Sequence, residues 1–211
     1  MKAIVLASAS PRRRELLELL GLPFAVHTVE VDETARPGET PEVLVARLSA
    51  TKAAAVARGL KDGLVVAADT VVALEGEVLG KPRDAAHAAE MLRRLRDRRH
   101  AVHSGVTVVD AASGRAAIHL SDTAVWMRDY DDAEIEAYVA GGDPLDKAGA
   151  YAIQHAGFRP VARIQGCFTG VVGLPLGALS DGLAHFDVAL PVDLAAVCRE
   201  WTGFPCCREK S

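Results

Sequence analysis

What the 211-residue chain has little of narrows it first. Its four cysteines, Cys167, Cys198, Cys206 and Cys207, show neither C-x-x-C spacing nor the even framework of a disulfide scaffold, which excludes a zinc ribbon and a small stapled secreted fold. Cys206 and Cys207 stand in a polar tail, CCREKS, and read as plain reduced thiols. No apolar run approaches the roughly 18 residues of a membrane span, so no membrane partner is expected. The opening MKAIVLASAS imitates a signal peptide, but its apolar core is about five residues where roughly 7 to 15 are needed. It reads instead as a first buried strand, with the cytoplasm as the expected location. A net charge of −4 excludes a protein that coats nucleic acid, so any local basic cluster points to a local anion. Three motifs are missing as well. There is no G-x-x-x-x-G-K-[ST] P-loop, no G-x-G-x-x-G fingerprint and no G-x-S-x-G elbow that would make Ser8 or Ser10 a nucleophile.

What is present is an α/β alternation. With 50% hydrophobic residues and no repeat, low-complexity tract or linker, residues 1–211 suit one domain, or two lobes sharing a sheet. KAIVLA and FAVHTV read as strands around the helix PRRRELLELL, which Gly21 closes. A helix from Pro41 to Arg58 leads into the strand LVVAADTVVAL. Apolar residues at 85, 88, 89, 92 and 95 predict an amphipathic helix from Asp84 to Arg96. HAVHSGVTVVDA and RAAIHLSDTAVWM, separated by Ser113-Gly114, read as a hairpin and bring antiparallel pairing into the sheet. A helix over 131–140, a glycine-rich break, a strand near 158–164 and two C-terminal helices complete the pattern.

Within SPRRRELL, Ser10 and Pro11 make a good helix start. Arg12, Arg13 and Arg14 then crowd the first turn, where the macrodipole is already positive. Either they pair along the helix, Arg14 with Glu18 and Arg12 with Glu15, or the turn receives an anion. Asp69 interrupts an otherwise apolar strand, where an ionised carboxylate needs a partner or a metal unless it marks a bend. Three lysines are candidate partners: Lys52 on or beside the buried stripe of its helix, Lys81 in the extended LGKPRD, and Lys147 in the loop PLDKAGAY. Each on its own also suits a snorkelling or surface position. Glu33, in VEVDETARPGE, is either a solvated loop residue or shares a magnesium or manganese ion with Asp69. His100 and His103 stand in a strand pattern and read as structural.

Taken together, LASASPRRRELL, VDET, Lys52-Ala53, AADTVV, GKPRD, LDKAGAYAIQ and VVGLPL resemble the Maf family of nucleotide pyrophosphatases, in the family's order from about residue 3 to about residue 180. The resemblance implies an elongated mixed sheet in two lobes flanked by helices, similar to inosine-triphosphate pyrophosphatases, with a nucleotide cleft between the lobes. It implies hydrolysis of a nucleoside triphosphate to the monophosphate and pyrophosphate with a divalent cation (Mg or Mn), a small-molecule nucleotide as partner rather than nucleic acid, and a homodimer as one form of the chain. The proton acceptor falls on Asp69, the phosphate-handling cations on Arg13, Lys52 and Lys81, and the metal on Asp69 and Glu33. Ser8 and Lys147 also match family positions. Arg12, Thr70 and Gln154 resemble the subgroup selective for dTTP and UTP. His155, Cys167 and Phe168 depart from the usual glycine, serine and tyrosine, which bears on base or sugar recognition. The contrasting expectation is a nucleotide-binding cell-division regulator without turnover, which needs the cations but not Asp69.

Overall fold

The computed structural model describes residues 2–209. Long periodic segments form where their patterns place them. β1 (Ile4–Leu6) runs into α1 (Pro11–Glu18), whose first turn is capped by Ser10 Oγ accepting from the Arg13 amide at 3.5 Å. β2 (Phe24–Val26) follows; it is shorter than FAVHTV suggests, because its pairing partner β1 ends at Leu6, opposite Val26. α2 (Pro41–Ala57) is capped by Thr40 and leads into β3 (Leu64–Leu74). β4 (Glu77–Leu79), three residues long, carries no periodicity that the sequence can display.

α3 (Ala85–Leu95), the hairpin of β5 (Arg99–Asp110) and β6 (Ala116–Met127), and α4 (Asp132–Ala140) agree with expectation. β7 (Val161–Gln165) is followed by three helices rather than the two expected. These are α5 (Phe168–Val172), α6 (Leu176–Ala184) and α7 (Leu194–Thr202); FTGVV, at five residues, is too short for a helical period to be legible.

The seven strands form one mixed sheet in the order β2-β1-β3-β5-β6-β7, with β4 also on β3. β1 is parallel to β2 and β3, and the remaining pairs are antiparallel. The expected mixed sheet flanked by helices is therefore what the chain builds.

Two features of β3 position everything that follows. On its free side, β1 pairs with residues 64–66 and β4 with residues 72–74, so residues 67–71 face a gap between two strands. Alternation along β3 also divides its side chains between the two faces. Val65, Ala67 and Val71 face α2, packing with Ala53 and Val56 in one cluster and Leu44 and Leu48 in another. Leu64, Val66 and Ala68 belong to one core on the opposite face, and Val72 and Leu74 to a second. Asp69 and Thr70 thus occupy the break in the apolar packing on their respective faces.

Candidate active site

Asp69 is buried, and an isolated carboxylate there would carry a large desolvation cost. Its partner is Lys52, whose Nζ donates to Asp69 Oδ1 at 2.5 Å and lies 2.7 Å from Glu33 Oε1. Lys52 is itself buried, on the face of α2 that packs against the sheet. What lets α2 come that close is Gly105, the residue opposite Asp69 on β5. A Cβ at Gly105 would stand 2.6 Å from the Val45 carbonyl oxygen, so only glycine permits this approach. Partial burial works against the Glu33 carboxylate, but the Lys52 hydrogen bond and the charges of Lys52, Lys81 and Arg13 outweigh it and hold its pKa below the ordinary glutamate value.

The gap in the sheet is flanked by cations. The segment after β1 supplies Ser8 and Arg13, and the segment after β4 supplies Lys81. Arg13 does not pair along its helix: Nε donates to the Gly173 carbonyl at 2.9 Å, and Nη1 lies 3.4 Å from Ser8 Oγ. Burial draws the Arg13 pKa down, while the carboxylates of Asp69 and Glu33 pull it back up. Lys81 is exposed and makes no hydrogen bond or ion pair among the described residues, so its ammonium is available to a ligand.

On the opposite face a cleft opens at the seam between the two cores. Arg12, Arg13, Lys81 and Lys147 line it together with a single carboxylate, Asp146. Arg12 Nη1 donates to Asp146 Oδ2 at 3.1 Å, and Lys147 Nζ donates to Asp146 Oδ1 at 2.7 Å and to Asp143 Oδ1 at 3.0 Å. Of the two readings of the arginine cluster, the one with Arg12–Glu15 and Arg14–Glu18 pairs does not form among the described residues; Arg12 is drawn instead to a carboxylate 134 positions away. Thr70 Oγ1 and Ser104 Oγ are 2.7 Å apart, and Ser104 in turn donates to the Gly170 carbonyl at 2.9 Å. Gln154, exposed, completes the neutral part of the lining.

Most expected residues therefore gather around one opening in the sheet. Asp69, Lys52 and Glu33 lie under α2; Arg12, Thr70, Lys147 and Gln154 lie in the cleft; Ser8, Arg13 and Lys81 stand at the gap. Asp69 and Glu33 carry carboxylate oxygens, the donor type that suits magnesium or manganese, but Oδ1 of Asp69 and Oε1 of Glu33 are already engaged by the Lys52 ammonium. No group of three or more His, Cys, Asp or Glu side chains among the described residues forms a complete protein cage, so a cation there would need further oxygens, as magnesium sites that use substrate phosphates do.

The three departures point away from the cleft lining. His155 Nδ1 accepts the Phe158 amide at 2.9 Å and its ring meets Tyr138 edge-on; Cys167 caps α5; Phe168 stacks on Phe204. Three contributors escaped the sequence reading: Asp146, Ser104 and Gly105. The only signal for the last two was a Ser-Gly inside a strand, which marks close backbone approach. His100 and His103 are structural, bonded to Tyr151 and Asp122 respectively.

Comparison with known proteins identifies the family. Residues 3–186 match the Maf-like protein family. The chain is 52% identical over 186 residues to the dTTP/UTP pyrophosphatase of Pelotomaculum thermopropionicum, covering 88% of this chain and 97% of that protein. It is 51% identical over 188 residues to the dTTP/UTP pyrophosphatase of Moorella thermoacetica, covering 89% and 97%. Among solved structures, it superposes loosely on a nucleoside-triphosphatase / dITP/XTP pyrophosphatase from Mycobacterium abscessus, with a TM-score of 0.45, 18% identity and coverage of 90% of this chain and 100% of that one. With its family motifs assembled at one gap in the sheet, and relatives this similar over nearly their whole length, the chain belongs to the Maf-like protein family.

Proposed function

We propose that this chain is a nucleoside triphosphate pyrophosphatase that hydrolyses dTTP and UTP to the nucleoside monophosphate and pyrophosphate. The observation that carries the reading is Asp69, a buried carboxylate held by Lys52 at the one place where β3 is open between two strands. A regulator that only sensed a triphosphate would need the cations but not this carboxylate. The names of the relatives supply the substrate pair, and Arg12, Thr70 and Gln154 are the residues we assign to selecting it.

A triphosphate carries about four negative charges, which Arg12, Arg13, Lys81 and Lys147 offset from the cleft and the gap. Lys52 holds Asp69 through Oδ1 while Oδ2, which takes no hydrogen bond among the described residues, accepts a proton from the attacking water. The water oxygen bonds to the α-phosphorus, the bond to the bridging oxygen breaks, and pyrophosphate leaves against Arg13 and Lys81. Asp69 and Glu33 would hold a divalent cation, magnesium or manganese, which when bound supplies further charge neutralisation to the phosphate oxygens. Uracil and thymine offer an N3–H between two carbonyls, and the Gln154 amide provides both a donor and an acceptor for that edge. We read residues 1–211 as a single domain of two lobes sharing the sheet, acting in the cytoplasm and able to form a homodimer.

The test is pyrophosphate release by the purified protein from equimolar dTTP, UTP, CTP, ATP, GTP and N7-methyl-GTP, with and without magnesium. The reading expects dTTP and UTP to show the highest kcat/KM. Binding without turnover of any of them would favour the regulator, and a preference for CTP or N7-methyl-GTP would overturn the selectivity.

A further inference from the structure

The family match ends at residue 186, yet the chain goes on to α7 and a tail that fold back on the domain. Cys198 of α7 and Cys206 of the tail are buried in one core with Leu16 and Leu17 of α1 and Val172 of α5. Arg208 pairs with Asp181 on α6, and Phe204 stacks on Phe168 at a centroid distance of 5.2 Å. Phe168 stands where the family more usually has tyrosine, so the chain departs from the family pattern on both sides of this contact.

Cover for apolar surface is the ordinary reason for such an extension, and it suffices for the two cysteines. It does not account for Trp201. The indole of this half-buried residue meets the ring of Phe168, the first residue of α5, edge-on at 6.3 Å, while its Nε1 donates to Glu15 Oε1 on α1 at 3.2 Å. An indole carries a single N–H, and here it is given to a side chain of α1.

Those two helices are the ones that hold Arg13. Its backbone lies on α1, two positions before Glu15, and α5 ends at Gly173, whose carbonyl accepts from Arg13 Nε at 2.9 Å. A planar guanidinium anchored at Nε has the direction of its terminal nitrogens fixed, so a displacement of α5 relative to α1 re-aims them. We propose that Trp201 is a positioning residue, which ties α1 to α5 and thereby fixes Arg13 toward the phosphates of a bound nucleotide. The assignment rests on the role given above to Arg13 at the leaving pyrophosphate. Losing the tie slows the chemical step more than it weakens binding, because Arg12, Lys81 and Lys147 still line the cleft and hold the triphosphate.

The experiment is a double-mutant cycle on the full chain, read as steady-state pyrophosphate release from dTTP with magnesium. Trp201→Ala should lower kcat by about 10- to 100-fold and change KM by less than about threefold. In an Arg13→Ala background the same change should lower kcat by less than about twofold, because the group it acts through is gone. Glu15→Gln, whose amide oxygen still accepts the indole N–H, should keep the parent's kcat, whereas Glu15→Ala should move in the direction of Trp201→Ala. Arg208→Ala, which frees the tail from α6 alone, should lower Tm and leave kcat unchanged. Trp201→Phe, which keeps a ring against Phe168 and deletes the N–H, runs through the same cycle should the alanine variant fail to fold. Equal losses in the two backgrounds, or an unchanged kcat in Trp201→Ala, would overturn this assignment alone and leave the extension as cover. A parent protein that releases no pyrophosphate from dTTP or UTP would overturn the functional reading, and this assignment with it.

Discussion

At Asp69 and Thr70 the two faces of one strand are given opposite chemistry. Under α2, the carboxylates of Asp69 and Glu33 both contact the Lys52 ammonium, and that pairing offsets the cost of burying the Asp69 side chain. On the cleft face the same strand presents neutral hydroxyls, Thr70 with Ser104, and leaves the charges to the rim. On the proposed function, the difference separates reaction from recognition: the charged face carries the carboxylate we assign as proton acceptor, and the neutral face carries the groups we assign to sorting ligands by hydrogen-bond pattern. The gap over residues 67–71 joins them.

The sharpest way to break this division is Asp69→Asn, which keeps the shape and removes the base. Turnover should fall by about 10² to 10⁴, with urea unfolding still cooperative; a loss in kcat of less than about tenfold would return Asp69 to a structural role. Gly105→Ala attacks the same face without touching an ionisable group. The added methyl must push α2 away from the sheet, and we expect a loss of about 10² in kcat and about 1 to 3 kcal/mol of stability, measured by steady-state kinetics and denaturant titration. An unchanged kcat would mean that the Lys52–Asp69 contact tolerates displacement.

Effects on the neutral face should be smaller and of another kind. Gln154→Glu removes an amide donor, and each unpaired group costs about 1 to 3 kcal/mol. The preference for dTTP and UTP over CTP should therefore narrow by roughly 5- to 200-fold, read as a ratio of kcat/KM values, while cleavage itself persists. The smallest effect on turnover is expected away from both faces, at His100. Burial lowers its pKa to about 4, and its Nε2 contacts the Tyr151 hydroxyl, a residue of the cleft wall. The unfolded chain takes up a proton near pH 6.5 that the folded chain refuses until about pH 4, so stability is lost as the pH falls through that window, by up to about 3 kcal/mol. His100→Gln should flatten this part of the stability profile in thermal melts from pH 4 to 7 while leaving activity at neutral pH near that of the parent.

Much of this was legible where the physics is local. The apolar run of β3 and the capped, periodic α2 follow their sequence patterns because burial and period act over ten or more residues. Asp69 was conspicuous for the same reason, as a charge inside such a run. What stayed hidden depends on distant partners. Arg12 had an acidic neighbour, Glu15, three positions away on its helix, yet it bonds Asp146, a choice that periodicity cannot encode. β4 is too short to show a pattern, and without it the gap beside Asp69 cannot be inferred. Cys206 looked solvated because its neighbours are polar, whereas burial was decided by α7 folding back on α5.

The central claim is that water attacks the α-phosphorus, and isotopic labelling reads it directly. Hydrolysis of dTTP is run in ¹⁸O-enriched water in the presence of magnesium, and the products are separated and weighed by mass spectrometry. The account predicts dTMP carrying the heavy oxygen and unlabelled pyrophosphate. Label in the pyrophosphate would place the attack on the β-phosphorus, and dTDP with labelled phosphate would place it on the γ-phosphorus; either result contradicts the account.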